Sequence, residues 1–153
     1  PQFPANEVNL KDFGAIGDGS SLCTTAFAKA IDALTQKGGG KLIVPQGVWF
    51  TGPIVLKSNI NLHLEKGAVI LFSPDDALYP FVDTSFEGLD TRRCQSPISG
   101  HHLTNVAITG QGCNLFRISL TIFGFSKDNI YLCRRNNLYI ITQQTEKIDE
   151  EIF

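Results

Sequence analysis

The spacing of hydrophobic residues changes along the chain, and the first regular pattern has a helical period. Between about Thr24 and Lys37, the large apolar residues Phe27, Ile31 and Leu34 recur at intervals of four and three, with alanines between them. This spacing places them on one face of an α-helix. The segment is therefore predicted to be an amphipathic helix.

Both ends of this predicted helix carry terminating signals. Ser21 or Thr24 is expected to cap its start through a side-chain oxygen. The run Gly38-Gly39-Gly40 is expected to end it, because glycine adopts the left-handed conformation of a helix C-terminus without steric cost.

After the three glycines, the apolar residues follow a period of about two. Turn residues such as Pro45-Gln46-Gly47 separate the runs, but none of the separators is the Asn-Gly pair typical of tight hairpins. The runs are therefore predicted to be short strands that need not pair as neighbours in sequence. They are Lys41–Val44, Val48–Thr51, Ile54–Leu56, Ile60–Leu64 and Ala68–Phe72.

A weak internal repeat suggests how these strands are arranged. Asn59, Asn105 and Asn129 each precede alternating aliphatic residues, at offsets of 46 and 24 residues. Offsets near one and two multiples of 23 favour a solenoid in which each coil adds one strand to every sheet. Asparagine suits a coil corner, because it tolerates left-handed backbone and can bond to its counterparts in adjacent coils.

The stretch from Ser73 to Ser99 follows neither period. It is rich in Pro, Asp, Ser and Gly and carries the aromatic residues Tyr79, Phe81 and Phe86. We interpret it as an excursion from the coils, of the kind that borders the binding face of a solenoid.

Composition and charge exclude several classes of function. Of the 153 residues, 42% are hydrophobic and 18% charged, as expected for a globular domain, and the net charge of −2 gives no attraction to nucleic acid. The longest apolar runs, such as Ala68–Phe72, fall far short of the roughly 20 residues of a membrane span. We therefore expect neither nucleic acid nor a membrane as a partner.

The cysteines and the chain start bear on cofactors and location. Cys23, Cys94, Cys113 and Cys133 lack the spacing of a zinc site, so no metal or other cofactor is expected, and their spacing leaves disulfide pairing open. The sequence begins at Pro1, contains no methionine and has no Asn-x-Ser/Thr acceptor. The chain could therefore be a processed secreted chain or a cut fragment, and the missing glycosylation acceptor favours a bacterial secreted or periplasmic source.

Two segments resemble a known family. Lys11–Ser20 (KDFGAIGDGS), followed by Thr24–Ile31, is similar to the N-terminal signature of the pectin-lyase-like superfamily. Gly38–Pro45 (GGGKLIVP), with the glycines and aliphatic residues up to Ser73, resembles the polygalacturonases, glycoside hydrolase family twenty-eight. Leu103–Gly112 continues the resemblance, which covers about residues 8–112.

The resemblance implies an all-β solenoid, a right-handed parallel β-helix with an N-terminal capping α-helix. The Gly17-Asp18-Gly19 segment is then a turn, since no phosphate-loop or calcium-ligand residues follow it. After Gly112 the family pattern stops, and the tail could be a truncated product, a frameshifted or mispredicted end, or a real divergent coil. We therefore expect residues 1–112 to form the cap and first coils of a truncated β-helix, and leave residues 113–153 as a divergent, unassigned tail.

The resemblance also states what the chemistry requires. An inverting glycosidase needs one carboxylic acid to protonate the leaving oxygen and a carboxylate to activate water. Polygalacturonases supply these from Asn-Thr-Asp and Asp-Asp motifs, and bind substrate through Gly-His-Gly and Arg-Ile-Lys motifs. None of the four is present as a match in this chain.

Three segments look like parts of these motifs. Asp75-Asp76 follows a predicted strand and is interpreted as a turn; His101-His102 lacks the flanking glycine and is interpreted as a loop before a strand. Arg117-Ile118-Ser119 lacks the lysine. No catalytic, cofactor-binding or metal-binding residue is therefore assigned.

Two functions from different classes remain open. The chain could be an N-terminal fragment, inactive alone, of a hydrolase that cuts galacturonan in pectic polysaccharide. Alternatively, it is a non-catalytic carbohydrate-binding or tailspike-like β-helix, with the aromatic residues of the 73–99 excursion contacting a glycan. In either case, the uncapped end of the coils is expected to favour self-association.

Overall fold

Strands form most of the regular structure in the part of the chain that the computed structural model describes, residues 2–86, 89–116, 130–135 and 138–143. These residues include one α-helix, α1 (Thr24–Gln36), and two 3-10 helices, Leu10–Phe13 and Asp76–Leu78. The strands are β1 (Glu7–Asn9), β2 (Gly40–Val44), β3 (Gly47–Thr51), β4 (Ile54–Val55), β5 (Ile60–Leu64), β6 (Ala68–Phe72), β7 (Phe81–Phe86), β8 (Leu89–Cys94), β9 (Ile98–Ser99), β10 (Ala107–Gly110), β11 (Cys113–Phe116), β12 (Ile130–Arg135) and β13 (Leu138–Gln143).

The chain contributes successive strands to three sheets in turn. Sheet A has the order β1-β2-β5-β10-β13-β12, sheet B the order β11-β6-β3, and sheet C the pair β4-β9. From β2 the chain enters sheets A, B and C in turn and then repeats this order. Every pairing of β1 to β6 and β9 to β11 with one another is parallel. The five strands predicted between residues 41 and 72 are confirmed.

We call one circuit of the chain through sheets A, B and C a pass. The lengths of the passes correct the predicted 23-residue period. Lys41 of β2 pairs with Asn61 of β5, 20 residues later, whereas Asn61 pairs directly with Ala107, 46 residues later. The 46-residue offset is therefore one pass and not two. The second pass is longer because it contains the excursion that begins at Ser73, which lies between β6 and β9.

Alternate residues of the strands fill a common core. Leu42, Leu62 and Ile108 are register partners on three neighbouring strands of sheet A, and all three are fully buried. Trp49 and Ile70 are buried partners in sheet B. Parallel pairing in register thus stacks like positions of successive passes, so one apolar alternation pattern supplies the whole interior.

The predicted helix is confirmed, and it shares this core. Phe27, Ile31 and Leu34 of α1 are at most 1% exposed and belong to the same buried cluster as Leu42. The helix end is also as predicted. Gly38 has a φ of 86°, and the amide of Gly39 donates to the Leu34 carbonyl at 2.8 Å, which is the glycine-dependent motif that closes many helices.

The predicted cap at the helix start is wrong. The N-cap residue is Cys23, which makes no side-chain capping bond, and the Thr24 hydroxyl instead accepts from the Gly52 amide at 2.8 Å. Thr24 therefore ties the helix to the corner between β3 and β4. Ser21 contributes to the preceding turn, where its amide donates to Asp18 Oδ1 at 2.7 Å.

Asp18 organises that turn, as predicted for the Gly17-Asp18-Gly19 segment. Its carboxylate accepts from the amides of Ser21 and Ser20 and from the Ser21 hydroxyl. These bonds, the Ser21 amide first, hold the pKa of Asp18 well below its usual range, because they stabilise the charged carboxylate.

Two of the three repeated asparagines occupy the predicted corners. Asn59 and Asn105 have φ values of 62° and 55°, and Asn105 Nδ2 donates to Asn59 Oδ1 at 3.1 Å. The third, Asn129, lies outside the described residues. The repeat therefore marks a place where the chain turns with left-handed backbone and where side chains of adjacent passes bond to each other.

Three antiparallel pairings interrupt the parallel pattern, and none of them was predicted from the sequence. Strands β7 and β8 pair with each other inside the 73–99 excursion, and β12 and β13 pair in the tail. Strand β13 also pairs antiparallel with β10. The excursion itself is confirmed, but it ends before β9 (Ile98–Ser99), which belongs to sheet C, and it contains a β-hairpin in place of an irregular loop.

Candidate functional site

The aspartate pair has the local role that its sequence predicted. Asp75 is the N-cap of the 3-10 helix Asp76–Leu78, and its Oδ1 accepts from the Ala77 amide at 3.0 Å. The Asp75 amide donates in turn to Ser73 Oγ at 3.1 Å. The pair therefore forms a turn at the exit from sheet B.

The histidine pair lies in the loop between β9 and β10, also as predicted. His101 and His102 are exposed, and His102 has left-handed backbone with a φ of 49°. The third candidate, Arg117-Ile118-Ser119, lies outside the described residues. The structure therefore places Asp75-Asp76 in a turn after β6 and His101-His102 in a loop before β10.

The hairpin β7–β8 is fastened to sheet C at its base. The Gln95 amide donates to the Pro80 carbonyl at 2.8 Å, which closes the base. Gln95 Nε2 then donates to Ser99 Oγ at 3.0 Å, and Ser99 belongs to β9. The base of the hairpin is thus bonded to Ser99, whose register partner in sheet C is Val55.

One face of the hairpin collects chemically distinct groups. Phe81 pairs with Cys94 and Asp83 pairs with Arg92 in the antiparallel register. Because alternate residues of a strand lie on the same face, these four residues share one face, which we call the hairpin face. It brings an aromatic ring, a carboxylate, a guanidinium and a free thiol together.

The hairpin face is open to solvent. The Phe81 residue is 66% exposed, and the side chains of Arg92 and Asp83 are 72% and 89% exposed. Arg92 Nε lies 3.3 Å from Asp83 Oδ1. An ion pair this exposed contributes little to stability, because water screens it and two flexible side chains must be ordered.

Tyr79 does not belong to this surface, although the sequence analysis grouped it with Phe81. It is buried, and its hydroxyl donates to the Ser73 carbonyl at 2.8 Å. Burial raises the pKa of the Tyr79 phenol, and the nearby Asp76 charge adds to this effect. The side chain of Phe86 is outside the described part of the structure. Phe81 is thus the one aromatic of the three seen to be exposed.

A polar row on the outer side of sheet A was missed by the sequence analysis. His63 Nδ1 lies 2.7 Å from Thr109 Oγ1, and the Thr109 hydroxyl donates to Asn61 Oδ1 at 2.9 Å. The signal was present in the alternation of β5, where Asn61 and His63 occupy the positions between buried aliphatics. It was overlooked because their partner, Thr109, is 46 residues from His63.

The hairpin face carries groups that can bind a ligand. Within residues 2–86, 89–116, 130–135 and 138–143, no three His, Cys, Asp or Glu side chains are grouped so that they could hold a metal ion. No helix in the same ranges is long and apolar enough to cross a membrane. The hairpin face offers a cation and an aromatic surface, which suit an anionic ligand with an apolar side.

Comparisons with known proteins give a consistent picture. No family model matches the chain. A probable polygalacturonase of Vitis vinifera is 40% identical over 114 residues, which are 69% of this chain and 23% of that protein.

Solved structures agree with the sequence comparison. A hyperthermoactive exopolygalacturonase from Thermotoga maritima matches with a TM-score of 0.71 and 48% identity, over 76% of this chain and 26% of that one. A family 28 exopolygalacturonase of Yersinia enterocolitica matches with a TM-score of 0.66 and 33% identity, over 72% of this chain and 21% of that one. The chain therefore spans about a quarter of the length of these proteins, and the predicted resemblance to polygalacturonases is confirmed.

Proposed function

We propose that this polygalacturonase-like chain forms the capping helix and first coils of a right-handed parallel β-helix. The rotation of the chain through sheets A, B and C supports this architecture, and so does the burial of α1 in the core shared by those sheets. In this proposal residues 1–112 are the cap and first coils, and residues 113–153 are a divergent tail whose first strand, β11 (Cys113–Phe116), still pairs in parallel with β6 of sheet B.

We further propose that the chain is part of a glycoside hydrolase that cuts galacturonan in pectic polysaccharide. The observation that carries this proposal is the 48% identity to the Thermotoga exopolygalacturonase over 76% of the chain. Such a hydrolase would act on a polymer outside the cell and would be secreted or periplasmic. The reaction would be an inverting hydrolysis by two carboxyl groups.

In this proposal the chain alone does not catalyse hydrolysis. General acid and base assistance typically contribute about 10²–10⁴-fold in rate. The sequence has no Asn-Thr-Asp motif, and its one Asp-Asp pair, Asp75-Asp76, forms a turn. The test is a reducing-end assay of the purified chain on polygalacturonate, beside an Asp75→Asn/Asp76→Asn double variant. Turnover that disappears in the double variant would show that this pair is catalytic and would overturn the proposal.

A second test is to read the gene beyond the Gly112 codon in all three reading frames. Asn-Thr-Asp and Asp-Asp motifs further along would support the hydrolase. The competing function is a non-catalytic carbohydrate-binding β-helix, which the exposed Phe81 on the hairpin face favours. Binding of polygalacturonate without such motifs in any frame would support that function instead.

We also propose that the chain self-associates through its open sheet edges. In the described residues, β9 and β11 are the last strands of sheets C and B, so one edge of each lacks a strand partner there. Such edges can pair with another chain. Light scattering should show concentration-dependent association, and a stable monomer at high concentration would contradict this proposal.

A further inference from the structure

We propose that the hairpin face is a binding site for sugar carboxylates, in which Arg92 binds the carboxylate and Phe81 packs against the sugar ring. This inference rests on the proposed function and specifies which residues of the chain contact a uronate polymer. It assigns a role to an excursion that the parallel coils do not require.

The register brings the two groups within reach of one ligand. Phe81 is opposite Cys94, and Arg92 lies two residues from Cys94 on the same strand, so Phe81 and Arg92 are diagonal neighbours on one face. Diagonal neighbours on paired strands are about 7–8 Å apart, within reach of aromatic and long side chains. One sugar residue could therefore contact both side chains.

The existing partner of Arg92 is easy to replace. The Arg92–Asp83 pair is 3.3 Å long and both side chains are mostly exposed, so breaking it costs little. A sugar carboxylate offers the same oxygen geometry and can bond to two guanidinium nitrogens at once. Asp83 would repel the incoming carboxylate, so it should limit the affinity of the site.

The anchoring of the hairpin gives the site a defined position. Gln95 connects the hairpin base to Ser99 of sheet C, whose register partner Val55 is 49% exposed. The base of the hairpin is therefore bonded to sheet C through Ser99. A preformed position reduces the ordering cost of binding.

The test measures binding of trigalacturonate and of the neutral galactose trimer to the purified chain by calorimetry at low salt. Replacing Arg92 by Gln should weaken trigalacturonate binding roughly fivefold and leave the neutral trimer unaffected. Replacing Asp83 by Asn should tighten trigalacturonate binding by a few fold. Replacing Phe81 by Ala should weaken binding of both trimers, because the apolar contact does not depend on the carboxylate.

The matched control is Arg93→Gln, which removes the same charge from the adjacent position of β8. Thermal melts check that each variant is folded, and Arg92→Lys replaces Arg92→Gln if the latter unfolds. Equal effects of Arg92→Gln and Arg93→Gln, equal affinity for the two trimers, or no binding of trigalacturonate at millimolar concentration would each overturn the inference.

The outcomes separate this inference from the proposed function. If trigalacturonate binds and the hairpin variants have no effect, this inference is wrong and the proposed function stands. If the gene also lacks the carboxylate motifs and no uronate oligomer binds, both are wrong.

Discussion

The coil segment, Gly40–Phe72, and the excursion that follows it hold their residues in different ways. In the coil segment, strands of sheets A and B pair across successive passes, and alternate side chains enter one core. In the excursion, β7 and β8 pair only with each other in the described structure, and Phe81, Asp83 and Arg92 are exposed.

The residues that stabilise the fold and the residues that are free to contact a ligand therefore lie in different regions of the chain. A residue of the coil segment is supported by partners from other passes, so its replacement disturbs several strands. A residue on the hairpin face has few supports and can change with little effect on the fold. Solenoids in general can accept insertions in the loops between the strands of one pass, because the insertion leaves the stacked register intact.

The largest expected effect is in the coil core. Replacing Leu62 by Ala should lower the free energy of unfolding by about 2–5 kcal/mol, because Leu62 is fully buried between Leu42 and Ile108. Phe81→Ala is the contrasting variant and should change stability by no more than about 0.5 kcal/mol. Urea unfolding followed by circular dichroism measures both, and similar losses for the two variants would break the comparison.

A medium effect is expected at the corner of the coils. Replacing Asn105 by Ala should lower the free energy of unfolding by about 1–2 kcal/mol, because alanine disfavours a φ of 55°. The side-chain amide also loses its bonds to Asn59 Oδ1 at 3.1 Å and to the Gln2 carbonyl at 2.6 Å.

The Asn105→Gly variant separates these two contributions. Glycine accepts the left-handed backbone but cannot make the side-chain bonds, so it should be less harmful than alanine. If glycine and alanine destabilise equally, the backbone conformation contributes nothing and the corner prediction is wrong.

The smallest effect is expected at the exposed turn before the helix, and it depends on pH. The pKa of Asp18 lies well below its ordinary value of 3.8 because its carboxylate accepts bonds from Ser20 and Ser21. A lowered folded-state pKa adds stability that is complete above the unfolded value and is lost as the pH falls below it. The Asp18→Asn variant should therefore melt below the unmodified chain at pH 7, with the gap narrowing below about pH 3.8.

A control for this prediction is Asp12→Asn, which removes a carboxylate of the same type from the exposed 3-10 helix before the turn. Melting curves between pH 2 and pH 7 make the comparison. A gap between Asp18→Asn and the unmodified chain that stays constant across this range would contradict the assigned role of Asp18.

Local patterns predicted the parts of the fold that depend on local physics. The helix and the five strands between residues 41 and 72 follow from apolar periodicity alone, since each buries alternate or helically spaced side chains. The corner asparagines were recognised because left-handed backbone restricts the residue type. The cap at Thr24 was misplaced because its hydroxyl bonds to Gly52, which is distant in sequence.

The features that were missed depend on pairing over longer distances. The 46-residue offset could not be recognised as one pass without knowing that β5 and β10 are neighbours. The hairpin face arises from the register of β7 and β8, two segments without a clear apolar alternation. Tyr79 was grouped with the exposed aromatics because no sequence pattern indicates that its hydroxyl donates a hydrogen bond to the Ser73 carbonyl.

The polar row on sheet A determines which nitrogen of His63 carries a proton. A threonine hydroxyl has one hydrogen, and Thr109 donates it to Asn61 Oδ1, so Thr109 Oγ1 can only accept from His63 Nδ1. A neutral His63 is thus the tautomer protonated at Nδ1, and the lone pair of Nε2 is left for a donor from elsewhere. Two uncharged residues therefore fix the direction in which this imidazole can accept a hydrogen bond.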